Sequence, residues 1–376
     1  MRTRITLALL LGMAYPGAAQ EMPVAADSAA DSAATRPYRG RLIGLPYLSY
    51  APQTKLQMGV AGGYQFKWPG QAMAEATRPS YLAANFAYTT KKQWLTFLGT
   101  SLFTPRSDWW LTASIDAGYF PLFYYGIGPR TEEADSNLME LRFLRLEGRV
   151  LRRVRGQLYA GPYFRRHTAS HVDWQFPAAI PAGLPGGRGG VTAGAGVSVL
   201  VDGRNSQTTP TRGHYLQADF LWHDHFLGGD YQYGRLVLDA RTYLPVRAGR
   251  DVIALSAYAE FNGEEAPIQS MALLSNSNTQ ELMRGVYLGR FRNRHELVTQ
   301  ADYRVHLKGR FGYVVFGAAG NVFGSPGSDL LDEVKFTYGA GLRFNVNPAD
   351  PLNLRVDYTL TSFGGGGISI GATEAF

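Results

Sequence analysis

The chain has 376 residues, 45% hydrophobic and 13% aromatic but only 18% charged, with 44 glycines and a formal charge of +7. Average usage is about 7% glycine and about 25% charge, so this composition excludes a disordered chain or a coiled coil. The absence of cysteine excludes disulfide scaffolds, thiolate metal sites and cysteine nucleophiles. Mean hydropathy is −0.16, and beyond the N-terminus no run reaches the ~18 apolar residues of a spanning helix, so any membrane crossing is by strands.

Residues 1–19 read as a signal peptide. Arg2 and Arg4 precede an apolar stretch from Ile5 to Tyr15, and Gly17-Ala18-Ala19 supplies the small residues of a cleavage site. Losing both arginines lowers the charge to +5 (7 − 2), spread in mixed-sign clusters that argue against nucleic acid as a partner. Residues 20–40, with a repeated AADSA unit, read as a flexible linker too short to be a domain. Residues 41–376 then form one unit.

From there the pattern has period two, the mark of strands with one apolar and one polar face. In 296–307, Leu297, Thr299, Ala301, Tyr303, Val305 and Leu307 alternate with Glu296, Val298, Gln300, Asp302, Arg304 and His306. The same alternation recurs over 335–346 and 352–360. Strands of about 9 to 14 residues suit a tilted crossing of a bilayer better than a soluble sheet. Aromatics at strand ends (Trp109-Trp110, Phe120 to Tyr125, Tyr231 to Tyr233) suggest interfacial girdles. These features predict an all-β fold, a transmembrane antiparallel β-barrel with apolar residues toward lipid and charges toward the lumen.

Turn signals divide the unit into sixteen strands near 42–51, 55–68, 79–90, 93–104, 109–121, 138–154, 156–172, 190–202, 213–226, 231–245, 250–263, 295–308, 310–323, 333–347, 351–361 and 366–376. Long connections at 122–137, 173–189 and 264–294 alternate with short ones and are expected at one end.

Several segments resemble the BamA/TamA family of bacterial surface antigens, whose barrels have sixteen strands. They are PYLSYAPQTKLQMGVAGGYQF (46–66), FYYGIGPRT (123–131), VDGRNSQTTPTRGHYLQADF (201–220), MRGVYLGRFRNRHELVTQADYR (283–304) and GAGLRFNVNPADPLNLRVDY (339–358). The resemblance implies the outer membrane of a Gram-negative bacterium, with its lipids and the barrel-assembly machinery as partners in insertion. It also implies a role in outer-membrane biogenesis or polypeptide translocation, and thus a polypeptide client. The resemblance implies too that Arg284-Gly285 tips a loop folded into the lumen, where Arg284 pairs with Asp302. The family's second acid, on the next strand, is replaced here by Ala318. Phe376, sharing a face with Ile368, Ile370 and Ala372, resembles the family's C-terminal assembly signal, with Glu374 interrupting that face.

The same-face pairs Asp239/Arg241, Asp302/Arg304 and Arg355/Asp357, with Arg235, Arg343, Arg145, Glu147 and Arg149, are expected to line the lumen as a compensated charge network rather than a selective constriction. A passive pore or structural barrel is the alternative function. A hydrolase is a weaker one, resting on His223 and His225, which would share a strand face beside Asp224 without a nucleophile elbow or zinc helix. No catalytic residue, metal or cofactor is implied.

Overall fold

A computed structural model describes residues 9–11, 40–51, 55–68, 77–207, 209–275, 281–325, 330–345 and 353–376. Sixteen strands form the wall: β1 (Arg41–Ala51), β2 (Lys55–Phe66), β3 (Ser80–Thr89), β4 (Trp94–Phe103), β5 (Trp109–Tyr124), β6 (Asn137–Arg155), β7 (Leu158–Trp174) and β8 (Gly190–Asp202). They continue as β9 (Gly213–His223), β10 (Tyr233–Val246), β11 (Asp251–Asn262), β12 (His295–His306), β13 (Phe311–Phe323), β14 (Lys335–Asn345), β15 (Asn353–Thr361) and β16 (Gly366–Ala372). Each pairs antiparallel with the next in sequence, and every expected strand is present to within a few residues.

The sheet is not closed. Among the described residues no register joins β16 to β1, and Leu9–Leu11 runs parallel to Ile368–Ile370 along the β16 edge. The rest of the expected signal peptide and nearly all of the expected linker lie outside the described residues.

Polarity is inverted relative to a soluble protein. On β15, Leu354, Val356 and Tyr358 are exposed, whereas Arg355, Asp357 and Thr359 are buried. On β12, Glu296, Val298, Gln300, Asp302 and Arg304 are likewise buried. An outer belt that includes Leu82, Phe86, Leu98, Val197, Leu216, Leu238 and Leu342 gives an apolar surface suited to hydrocarbon rather than water.

Antiparallel alternation places the long connections 125–136, 175–189 and 263–294 at one end, the loop end, as expected, and the tight hairpins 156–157 and 307–310 at the other, the turn end. The lumen is filled at both levels. Near the turn end Phe103, Trp110, Leu151, Tyr159, Leu200 and Tyr215 pack together, with the Phe103 and Trp110 rings stacked at 4.9 Å. Near the loop end, residues 272–273 and 292–293 pair into a small hairpin, so loop 263–294 enters the barrel, and its Leu274, Leu282, Met283 and Val286 pack against Val237, Tyr258, Val298 and Val322.

The expected aromatic girdles are only partly on the outside. Trp109 is exposed, but Trp110, Phe120, Tyr124, Tyr125 and Tyr233 are buried. Adjacent residues on a strand face opposite sides, so one Trp of the Trp109-Trp110 pair has to enter the lumen.

Candidate functional site in the lumen

At the tip of the folded-in loop, Gly285 adopts φ +85°, and a Cβ there would meet the Thr359 Cγ2 at 2.9 Å. Glycine therefore permits both the left-handed turn and the close approach to β15. The turn aims Arg284 at the wall, where it donates to Asp302 and, at 3.1 Å, to Asp357. Its guanidinium also lies 3.5 Å from the centre of the Phe316 ring.

Two carboxylates thus hold Arg284, although one acid is absent from β13. Ala318 belongs to the apolar cluster beneath the loop, and Asp357, two strands further along, supplies the second carboxylate. A planar guanidinium can hydrogen-bond on more than one edge, so the acids need not lie on adjacent strands.

Asp357 accepts in addition from Arg343 at 2.5 Å and Arg355 at 3.0 Å. Arg355 contacts Glu281 in the loop, and Arg304 lies 3.6 Å from Asp302 and 3.8 Å from Glu374. Glu374 accepts from Arg343 at 2.9 Å and Asn353 at 2.7 Å. Arg284, Arg304, Arg343 and Arg355 therefore face Asp302, Asp357, Glu281 and Glu374, four charges against four. A buried cluster of this kind persists only when opposite charges compensate one another.

The other expected lumen residues form separate pairs. Arg241 grips Asp239 on its own strand at 2.9 and 2.5 Å, and Arg235 grips Glu260 at 3.0 and 2.8 Å. Arg149 bridges Glu147 and Asp219, each at 2.7 Å. All three same-face pairs named from the sequence are ion pairs in the structure.

Three expectations are corrected. Phe376 does not share an outer face with Ile368 and Ile370, because β16 ends at Ala372 and Thr373 adopts φ +72°. The last residues turn into the lumen, where Phe376 and Ala375 pack with Tyr243, Val252 and Ala254, and the Phe376 carbonyl accepts from Arg304 at 2.8 Å. Glu374 is buried rather than interfacial. Burial alone would raise its carboxyl, but Arg343 and Arg304 hold it below its usual value.

His223 and His225 are not brought together either. His223 closes β9 and stacks flat on Tyr233 at 4.2 Å, while His225 lies in the following turn with Nδ1 3.0 Å from the Gly229 carbonyl oxygen. No group of three potential ligands that could hold a metal occurs among the described residues.

Glu281 and Glu260 escaped the sequence reading for different reasons. Glu281 sits in an irregular loop without periodicity, whereas Glu260 lies on an alternating strand and was legible by parity. Two further contacts pin the loop near the rim. Gly128 pairs with Arg292 as an isolated β-bridge, and Arg290 donates to Thr131 Oγ1 at 2.8 Å and to its carbonyl at 2.6 Å.

Residues 190–365 match the Omp85 superfamily domain. No curated protein sequence matches the chain. Among solved structures, the chain is similar to BamA from Haemophilus ducreyi lacking POTRA domains 1-3, at TM-score 0.55 and 13% identity, covering 89% of this chain and 69% of that one. It is also similar to CdiB from Acinetobacter baumannii (TM-score 0.53, 10% identity, 87% of this chain) and CdiB from Escherichia coli (0.53, 12%, 88%). The chain spans 56% and 61% of those two CdiB chains. The chain thus carries a match to the Omp85 superfamily domain over residues 190–365, within a sixteen-stranded antiparallel sheet that shares the barrel fold of those BamA and CdiB structures.

Proposed function

We propose that this chain is exported by residues 1–19 to the outer membrane of a Gram-negative bacterium, where its barrel inserts or translocates polypeptide at the seam between β16 and β1. The observation that carries this reading is that, among the described residues, the outer edge of β16 pairs with Leu9–Leu11 and not with β1. Removal of residues 1–19 takes Leu9–Leu11 from the β16 edge, which then offers backbone donors and acceptors to a client strand. Lipid hydrocarbon cannot satisfy those groups, which favours engagement of a partner at the seam.

In this reading Arg284, Gly285 and Asp302 tether the loop inside the barrel, next to the strands that end at the seam. The remaining lumen charges keep the interior filled and neutral. The barrel-assembly machinery inserts the chain itself, with Phe376 as part of its C-terminal signal. The buried lumen residues at both ends weigh against a passive pore.

The test is photocrosslinking in intact outer membranes from Gly44 on β1 and Ile370 on β16, with Val197 on β8 as a control away from the seam. Capture of barrel precursors or one secreted polypeptide at the two seam positions, and not at Val197, is the expected result. Recovery of only lipid and the chain itself, combined with steady conductance of the purified protein in planar bilayers, would replace the reading with a pore.

A further inference from the structure

We propose that the loop-end half of the lumen holds a binding site for a short carboxylate, bounded by the folded-in loop and the inner faces of β5 to β7, β10 and β11. A cavity of about 70 Å³ lies there. One water takes about 10–15 Å³ of such space, so the cavity suits a ligand of about five to seven non-hydrogen atoms.

Its walls are chemically divided. Phe120, Met139, Leu141 and Phe143 form an apolar side, and Arg145, Arg165, Arg235 and Arg292 bring cations to the other. Glu260 is the acid lining the cavity, and Arg235 already occupies both of its oxygens at 3.0 and 2.8 Å. Nearby Glu147 is held by Arg149 at 2.7 Å and lies 3.8 Å from Arg165.

Arg292 points to the ligand. Its side chain is 1% exposed, and Nη1 donates to the Ile268 carbonyl at 3.1 Å. Nε and Nη2 have no hydrogen-bond partner, and no acid among the described residues pairs with this guanidinium. Those two nitrogens form the same edge with which Arg235 grips Glu260, the edge that binds a carboxylate through two parallel hydrogen bonds. Burial lowers the Arg292 guanidinium to about 10, which leaves it charged at neutral pH. A buried cation with an unused bidentate edge is costly unless an anion meets it. The apolar wall selects a carboxylate bearing an alkyl group over a fully hydrated oxyanion.

The test uses the full-length barrel in detergent, equilibrium dialysis with radiolabelled butyrate, and inorganic phosphate as competitor. Saturable binding of one butyrate per barrel is expected. Arg292→Gln should weaken it by about tenfold or more, while Leu141→Trp, which fills the cavity, should abolish it. Should Arg292→Gln fail to give a heat-modifiable folded barrel, Leu141→Trp alone decides. Absent saturable binding, binding unchanged by the folded variants, or displacement by equimolar phosphate would each overturn the assignment.

Discussion

β15 and the loop-end half of β6 alternate with the same period and opposite polarity. On β15 the inward residues are Arg355, Asp357 and Thr359, and Leu354, Val356 and Tyr358 face out. On β6 the inward residues Met139, Leu141 and Phe143 are apolar, while Glu140 and Arg142 face out. The difference follows from what the outer face touches. At about 3.3 Å per residue, the 19-residue β6 outreaches the nine-residue β15 and rises above the apolar belt into water. There the wall reverts to the arrangement of a soluble sheet. Alternation tells which residues share a face, and the polarity of both faces tells at what height they stand.

The comparison can be sharpened by substitution. The largest effect is expected from Arg284→Met, which strands Asp302 and Asp357 without their cation. Removing one partner of a buried ion pair costs about 3–5 kcal/mol. Urea unfolding of the refolded barrel should show that loss, and proteolysis should cut loop 263–294 faster. Unchanged stability and cleavage would mean that the loop is held by its apolar contacts alone. Next, Val356→Arg places a charge in the middle of the outer face of β15 and should cost about 2–4 kcal/mol in lipid vesicles.

Glu374→Gln should have a smaller effect, about 1–2 kcal/mol, confined to pH values above the normal glutamate range. Its folded carboxyl titrates below the usual value, so the stabilisation is complete above the unfolded pKa and is lost as pH falls through the folded one. The variant should therefore show a shallower decline in stability on acidification. The smallest effect is expected from Arg142→Leu on the outer face of β6, within about 0.5 kcal/mol. A gain comparable in size to the loss from Val356→Arg would mean that both strands meet the same medium, and the comparison would collapse.

Parity made the wall legible because a strand repeats every two residues whatever its neighbours. It also placed Asp302 inward, opposite a loop whose Arg284 was marked by resemblance. It failed where the backbone left the strand. Thr373 at φ +72° broke the alternation that would have put Glu374 and Phe376 outside, and the turn after His223 separated it from His225. Asp357 was placed inward, yet its contact with Arg284 joins residues 73 apart and depends on how deeply a loop descends. That depth is a property of packing and leaves no local pattern in the chain.

The loop is fastened at two heights, by Gly128 and Thr131 near the rim and by Asp302 and Asp357 deep in the barrel. A segment pinned at both ends behaves as a strut. A pull on the rim connection 125–136 is carried along it to the Asp357 of β15, the strand next to β16. Stiffness in this barrel therefore runs along its axis as well as around its wall, and mechanical work done outside the membrane has a route to the seam.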